Sequence, residues 1–358
     1  MDAISLNDAL ADPFTTIERL KMTYISTRRD DDLRDKFSKI YKRHGVRMTM
    51  RESGTGGPHL YEGTMLAVSG ETQAGKTTAI VQLFKQYPEF KGYEDIANGA
   101  PLISMRAPPA CTPIRLALEL LAALGFPLKS YWPEHKLWAE VHRRLRLNKI
   151  SVVHIDEMQH TTHVANEKEI LRLGASLKSL LVNPDWPVIL VVAGVPTLMN
   201  FLNQYPELLR RTTFCLLPAL NVVDNADEMA NIASLLCGMV GLSLNTDSCD
   251  HFGERLITAA RLQFGGVVEW TIDAIGVALL RRAKQSDPAI RLDPNIDHND
   301  FAVAYAEKKD CPPISNVFLS EDWHLVEPPM GPDPASPSDG IGGPKSKARA
   351  KRNKRRNF

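Results

Sequence analysis

The sequence predicts an α/β fold, a parallel sheet with helices on both faces, followed by a small all-helical unit. Three observations carry this reading. Continuous apolar runs alternate with helical stripes between Gly63 and Pro218. A glycine-bearing phosphate-loop motif stands between the first apolar run and the first helix of that region. After Pro218 the strand-like runs stop and three helical stretches follow. Strands buried on both faces read as continuous rather than alternating apolar runs. Regular strand–helix alternation indicates a parallel sheet with covered faces.

The elements follow in order. Asp30 to His44 reads as a helix, because Leu33, Phe37, Ile40 and Tyr41 fall on one stripe. Acids at its start and bases at its end suit the helix dipole, and Gly45 reads as its C-terminal stop. Its other face carries Arg34, Lys36, Lys39 and Arg43, for which a solvated face is the plainer reading. Residues 53–58, SGTGGP, form a turn-rich linker that lies before a strand, not after one. Met65–Val68 is a short strand, Thr77–Tyr87 a helix stopped by Pro88, and Leu102–Met105 a second strand. Ile114–Leu124 and His135–Leu147 are helices on either side of a break, and Ile150–Ile155 is a strongly β-branched strand. Ile170–Val182 is a helix, and Val188–Ala193 and Phe214–Leu217 complete the strands. Asp227–Val240, Cys249–Leu262 and Val267–Lys284 are the three helices of the second unit. No repeat at solenoid periods is present.

Length and composition narrow the class. A chain of 358 residues suggests about two folding units and can bury a core without disulfide or metal staples. Apolar residues make up 44% and charged residues 24%, ordinary values for a globular protein. No run approaches the ~18 apolar residues of a membrane-spanning helix, and the start, MDAISLNDALADPF, lacks a basic, apolar leader. The expectation is a cytoplasmic protein with no membrane partner. Cys111, Cys215, Cys237, Cys249 and Cys311 form no paired motif and read as reduced thiols. Charge is segregated: the net is +1, but residues 345–358 hold eight of the 43 Lys and Arg and no acid. The remaining 35 basic and 42 acidic groups leave the rest of the chain at −7, a pattern of polyanion-binding or solubilising tails. The expected organisation is an N-terminal helical segment over 1–50, a nucleotide-binding core over 51–220, and a helical lid over 221–285. A C-terminal extension over 286–326 and a disordered Pro/Gly-rich and basic tail over 327–358 complete it.

The strongest motif is Gly70-Glu71-Thr72-Gln73-Ala74-Gly75-Lys76-Thr77, a full G-x-x-x-x-G-K-[ST] in the strand–loop–helix context it requires. Gly70 and Gly75 let the backbone N–H groups of residues 70–78 wrap an ATP phosphate chain, and the helix N-terminus at Thr77 and Thr78 adds partial positive charge. Lys76 reaches the terminal phosphates, and the Thr77 hydroxyl suits Mg²⁺. A second signal is the strand ending Asp156-Glu157. Asp156 would hold the Mg²⁺ shell and Glu157 would polarise the attacking water. A third is Arg210-Arg211, which reads either as a pair capping a helix end or as a source of positive charge for a transferring phosphoryl group.

In this order the three sites resemble the AAA+ ATPase family, and within it the TniB/TnsC transposition regulators. LISMRAP with CTPIRLALELLAALG, HIDEMQH, VILVVAGVPT and PELLRRTTFCLLPAL each resemble a segment of that group, over roughly residues 30–285. The resemblance places the finger arginine at Arg211. It implies ATP and Mg²⁺ as cofactors, and ATP-dependent assembly of a homo-oligomeric ring or filament on double-stranded DNA. It further implies recruitment of a transposase, with hydrolysis dissolving the assembly. AAA+ proteins carry a polar sensor at the exit of the fourth strand, where this chain has Ala193-Gly194, with Thr197 the first polar side chain. They also carry a lid arginine, absent from Phe264–Glu269, with Arg261 or a remote residue left to take its place. Slow, switch-like hydrolysis fits both gaps. Candidate DNA contacts are Arg106, Arg143, Arg144, Arg146 and Lys149, each equally readable as plain surface charge. Two alternatives stand beside this reading: a replication-initiator or helicase-loader type protein, and a nucleotide-gated signalling switch.

Overall fold

The computed structural model describes residues 4–327, apart from 56, 58–61, 129 and 162–166. The basic tail therefore lies outside the described residues. In chain order the elements are α1 (Leu6–Ala11), α2 (Pro13–Lys21), α3 (Arg28–Glu52), β1 (Thr64–Gly70), α4 (Lys76–Lys85) and β2 (Leu102–Arg106). Next come α5 (Pro113–Ala123), α6 (Glu134–Leu147), β3 (Val152–Asp156), α7 (Glu167–Leu181), β4 (Ile189–Gly194), α8 (Thr197–Asn203), α9 (Pro206–Leu209) and β5 (Thr212–Leu217). The helical part holds α10 (Ala226–Gly238), β6 (Ser243–Leu244), α11 (Phe252–Ala259), α12 (Phe264–Ala283), α13 (Pro288–Arg291), β7 (Asn295–Ile296) and α14 (His298–Lys309).

Strands β1–β5 form one parallel sheet in the order β2-β3-β4-β1-β5. The register brings Gly70 beside Leu217 and Ser69 beside Gly194, so the loops leaving these strands emerge at one edge. Alternate residues serve opposite faces. Met65, Ala67, Ile103, Val153, Ile155 and Leu190 pack under α5–α8. Leu66, Val68, Val152, Ile189 and Val191 pack under α3 and α4. This double burial is why the strands read as unbroken apolar runs.

Helix α3 is longer than its sequence stripe suggests. Leu33, Phe37, Ile40 and His44 are buried, as the stripe requires, and Phe37 joins Tyr41, Phe84, Tyr87 and Phe90 in an aromatic cluster. The helix passes through Gly45 and stops at Ser53, followed by Gly54 at φ +67°. A lone helical glycine costs only about 1 kcal/mol. The following turns recover that, with the Arg47 guanidinium donating to the Glu62 carbonyl at 2.7 Å.

His44 supplies a stability prediction. It is 7% exposed, and burial, with Arg47 nearby, pulls its imidazole down to about 4. The folded state thus prefers the neutral ring, while the unfolded chain takes up a proton near pH 6.5. Its contribution is complete above pH 6.5 and is lost as pH falls towards 4, by up to about 3 kcal/mol. We expect His44→Leu to flatten the fall in Tm between pH 6.5 and 4.5; an unchanged slope assigns the acid loss to other groups.

The helical unit recruits both ends of the described chain. Ala9, Leu10 and Leu20 of α1 and α2 share a core with Met229, Leu256, Trp270 and Ile275. Phe301, Tyr305, Val317 and Phe318 join it from the C-terminal side. The N-terminal helices therefore do not stand as one segment: α1 and α2 pack with the helical unit, while α3 packs on the sheet. Two buried arginines fasten the C-terminal extension. Arg282 donates to the Asp293 carbonyl at 2.8 Å. Arg255 donates to the Val317 and Ser320 carbonyls, both at 2.8 Å. Strands do not stop entirely at Pro218, since β6 and β7 form a two-residue parallel pair. Among the described residues no single helix is long and apolar enough to cross a membrane, and all five cysteines are free.

Candidate nucleotide site

The site lies where β1 and β4 deliver their C-terminal ends and the chain leaves in opposite directions, the position at which open parallel sheets bind ligands. Gly70 is packed too closely for a side chain, since a Cβ there would lie 2.9 Å from the Leu217 carbonyl oxygen. Gly75 sits at φ +88° as the N-cap of α4, a left-handed conformation that glycine adopts without steric cost. Together they bend residues 70–76 into a loop over the N-terminus of α4, where unpaired N–H groups and the helix dipole favour an anion.

The sequence-predicted residues converge here. Lys76 is 8% exposed, and its Nζ donates to the Gly70 and Glu71 carbonyls, both at 2.9 Å. Burial pulls its ammonium below the usual range, against the pull of the Glu157, Asp156 and Glu71 carboxylates. The Thr77 hydroxyl donates to Asp156 Oδ2 at 2.6 Å, and Asp156 is 3% exposed. One hydroxyl and one carboxylate, beside a phosphate-binding loop, form the hard-oxygen donor set that Mg²⁺ takes when nucleotide phosphates complete its shell. Thr77 and Asp156 are thus the residues that would hold it.

Glu157 directly follows β3 at φ +58°. This strained position for a non-glycine residue turns the chain sharply out of the sheet, and its own N–H donates to Asp156 Oδ1 at 2.8 Å. The side chain is held by Gln159, whose amide nitrogen donates to Glu157 Oε2. Gln159 Oε1 in turn accepts from the Val195 N–H at 3.3 Å. A polar side chain therefore does stand at the exit of β4, supplied by the Asp-Glu segment and not by β4 itself. Its signal was present in HIDEMQH, two residues beyond Glu157.

Arg211 is largely buried within its own chain: its side chain is 9% exposed, and its guanidinium pairs with Glu62 Oε1 at 2.7 Å and donates to the Glu207 carbonyl at 2.9 Å. Arg210, beside it, is exposed. Both lie before β5, at the sheet edge opposite the phosphate loop, out of reach of their own chain's nucleotide. The candidate DNA contacts fall in two places. Arg106 ends β2 beside Asp156, whereas Arg143–Lys149 precede the start of β3, a strand length of roughly 16 Å away. Arg143 and Arg144 both pair with Glu140, at 2.5 and 2.8 Å. Arg144 also lies over the Phe126 ring, 4.0 Å from its centroid. Arg146 and Lys149 are exposed.

A cavity that the motifs did not reveal opens beside α4. Its walls include Tyr24, Thr27 and Arg29 from the N-terminal side, Thr78 from α4, and Phe264 and Val268 from α12. The lid is latched to the phosphate loop at its rim. The Gly265 N–H donates to the Gln73 carbonyl at 2.8 Å, and Gln73 Nε2 donates to Glu269 at 2.7 Å. Glu269 and Asp273 are both held by Lys308 of α14. A nucleoside seated there would touch three parts of the chain far apart in sequence.

Residues 57–221 match the family model described as bacterial TniB protein. No curated protein matches the chain significantly. Among solved structures, the chain is similar to the ORC2 protein of Aeropyrum pernix in its ADPNP–ADP complexes, with 15% identity and a TM-score of 0.45 over 75% of this chain and 67% of that one. It is similar to Cdc6p from Pyrobaculum aerophilum, with 12% identity and a TM-score of 0.43 over 68% and 60%. It is also similar to the RuvB Holliday junction branch migration motor of Thermotoga maritima, with 13% identity and a TM-score of 0.40 over 80% and 72%.

Proposed function

We propose that this chain, whose residues 57–221 match the TniB family model, is an AAA+ P-loop ATPase that acts as an ATP-switched regulator of DNA transposition. ATP drives head-to-tail assembly on duplex DNA, the assembly marks the target and recruits a transposase, and hydrolysis releases it. The observation that carries this reading is the joined Lys76, Thr77–Asp156 and Glu157–Gln159 geometry inside a TniB-family region.

The chemistry follows from the placement. Residues 70–78 and Lys76 gather the phosphates. Thr77 and Asp156 would hold Mg²⁺, which would supply positive charge to the phosphate oxygens. Glu157 orients a water towards the γ-phosphorus and accepts its proton as the bond to ADP breaks. Gln159 fixes the Glu157 carboxylate and links it to the β4 exit.

Assembly supplies what one subunit lacks. Arg210 is exposed at the edge remote from its own phosphate loop, so in a heterologous, ring- or filament-forming contact it faces the next subunit's γ-phosphate. Arg211 instead secures β5 through Glu62. We expect Arg210→Ala to leave nucleotide affinity unchanged and to lower assembly-dependent hydrolysis by about 100-fold or more. We expect Arg211→Ala to act on stability, by about 1–3 kcal/mol, through the unpaired Glu62. Loss of assembly in Arg211→Ala at unchanged Tm would return the finger role to Arg211.

DNA contacts run to phosphates through Arg146 and Lys149, and so are sequence-tolerant and salt-dependent. The test is equilibrium binding to unrelated duplexes across a salt series, with a non-hydrolysable ATP analogue and with ADP. The reading requires tight, sequence-indifferent binding with the analogue only, and a linear fall of log K with log salt. Equal binding in ADP would remove the switch.

A further inference from the structure

The cavity beside α4 is lined by a cation that the described residues satisfy only in part. Arg29 stands at the start of α3, and its Nη1 is fully buried with no hydrogen-bond partner. Among the described residues its Nη2 reaches the Ala74 carbonyl of the phosphate loop, at 3.4 Å. The guanidinium carbon lies over the Phe264 ring, 4.6 Å from its centroid, so the side chain packs against the lid. The adjacent carboxylate is engaged by Thr27: Asp30 accepts from the Thr27 N–H and hydroxyl at 2.6 and 3.0 Å. Burial holds the Arg29 guanidinium below its usual range, with Asp30 and Glu228 opposing the shift. A buried donor left unpaired is costly and requires an explanation. Gly75, the N-cap of α4, and Thr78 of its first turn line the same cavity as Arg29, so the side chain with the unpaired donor borders the space next to an anion-binding helix terminus.

We propose that Arg29 is a nucleotide-binding residue that donates to the phosphate chain of ATP or ADP on its nucleoside side, while Phe264 and Val268 of the lid cover the base. Lid and phosphate loop are thereby joined through one guanidinium. The N-terminal segment, outside the family-matched region, becomes part of the nucleotide site, and the lid needs no arginine of its own. This rests on the nucleotide-binding reading above and names its ligand contact.

The test is equilibrium binding of ADP, a non-hydrolysable ATP analogue and adenosine to the full chain, comparing wild type with Arg29→Met and Arg29→Lys. Methionine keeps an apolar stem against Phe264 and removes the charge; lysine keeps a charge without the fork. Arg29→Met is expected to lose about tenfold or more in affinity for ADP and for the ATP analogue alike. Adenosine binding is expected to change less than twofold, and Arg29→Lys to fall between. Equal losses for adenosine and ADP would overturn the proposal by making Arg29 a wall of the base pocket. ADP affinity unchanged in Arg29→Met would overturn it outright. A wild-type chain that binds none of the three overturns the nucleotide site itself, a result distinct from either.

Discussion

Lys76→Ala is expected to abolish ATP and ADP binding, with a loss in affinity of at least about 100-fold, and with it every nucleotide-dependent assembly. Lys76 is the buried cation closest to the loop that receives the phosphates, and the Gly70 and Glu71 carbonyls hold its ammonium at 2.9 Å. A charge-assisted contact in so enclosed a place counts for far more than a surface ion pair. Alanine also leaves those two carbonyls without their donor, so a modest fall in Tm accompanies the loss. Calorimetric titration with ADP reads the effect directly. Retained affinity, or assembly that survives the change, would show that residues 70–77 do not bind the phosphates.

Glu157→Gln is expected to separate binding from chemistry. The substitution conserves shape, keeps a side chain within reach of Gln159, and leaves Lys76, Thr77 and Asp156 untouched. Nucleotide affinity is therefore expected to stay within about threefold. Single-turnover hydrolysis is expected to fall by roughly 10²–10⁴, the usual effect of removing a positioned proton acceptor. The variant then accumulates as a long-lived, ATP-bound assembly on DNA. Turnover at the wild-type rate would take Glu157 out of the reaction and leave its strained φ of +58° without a functional reason.

What was legible in the sequence was what is local. The phosphate loop and the Asp156-Glu157 strand end are contiguous motifs whose spacing is set by backbone geometry, and the register of β1, β3, β4 and β5 then brings them together. The sheet was legible because both faces are buried, which makes each strand an apolar run. What was not legible depends on contacts between distant segments. Leu10 and Leu20 meet Trp270 and Ile275 across some 250 residues, and no short-range pattern marks that packing. The placing of Arg29 over Phe264 is of the same kind. The burial of Arg211 depends on a partner, Glu62, nearly 150 residues away. Gly45 misled for the opposite reason: local glycine chemistry favours a stop, but the packed turns on either side outweigh about 1 kcal/mol.

The central claim is that ATP, and not ADP, assembles this chain on duplex DNA. Negative-stain electron microscopy of the purified protein with duplex DNA, at low and moderate salt, tests it most directly when a non-hydrolysable ATP analogue is compared with ADP. Rings or filaments on DNA with the analogue and dispersed particles with ADP are the result expected here. Dispersed particles with both nucleotides, or the same assemblies with both, would contradict it.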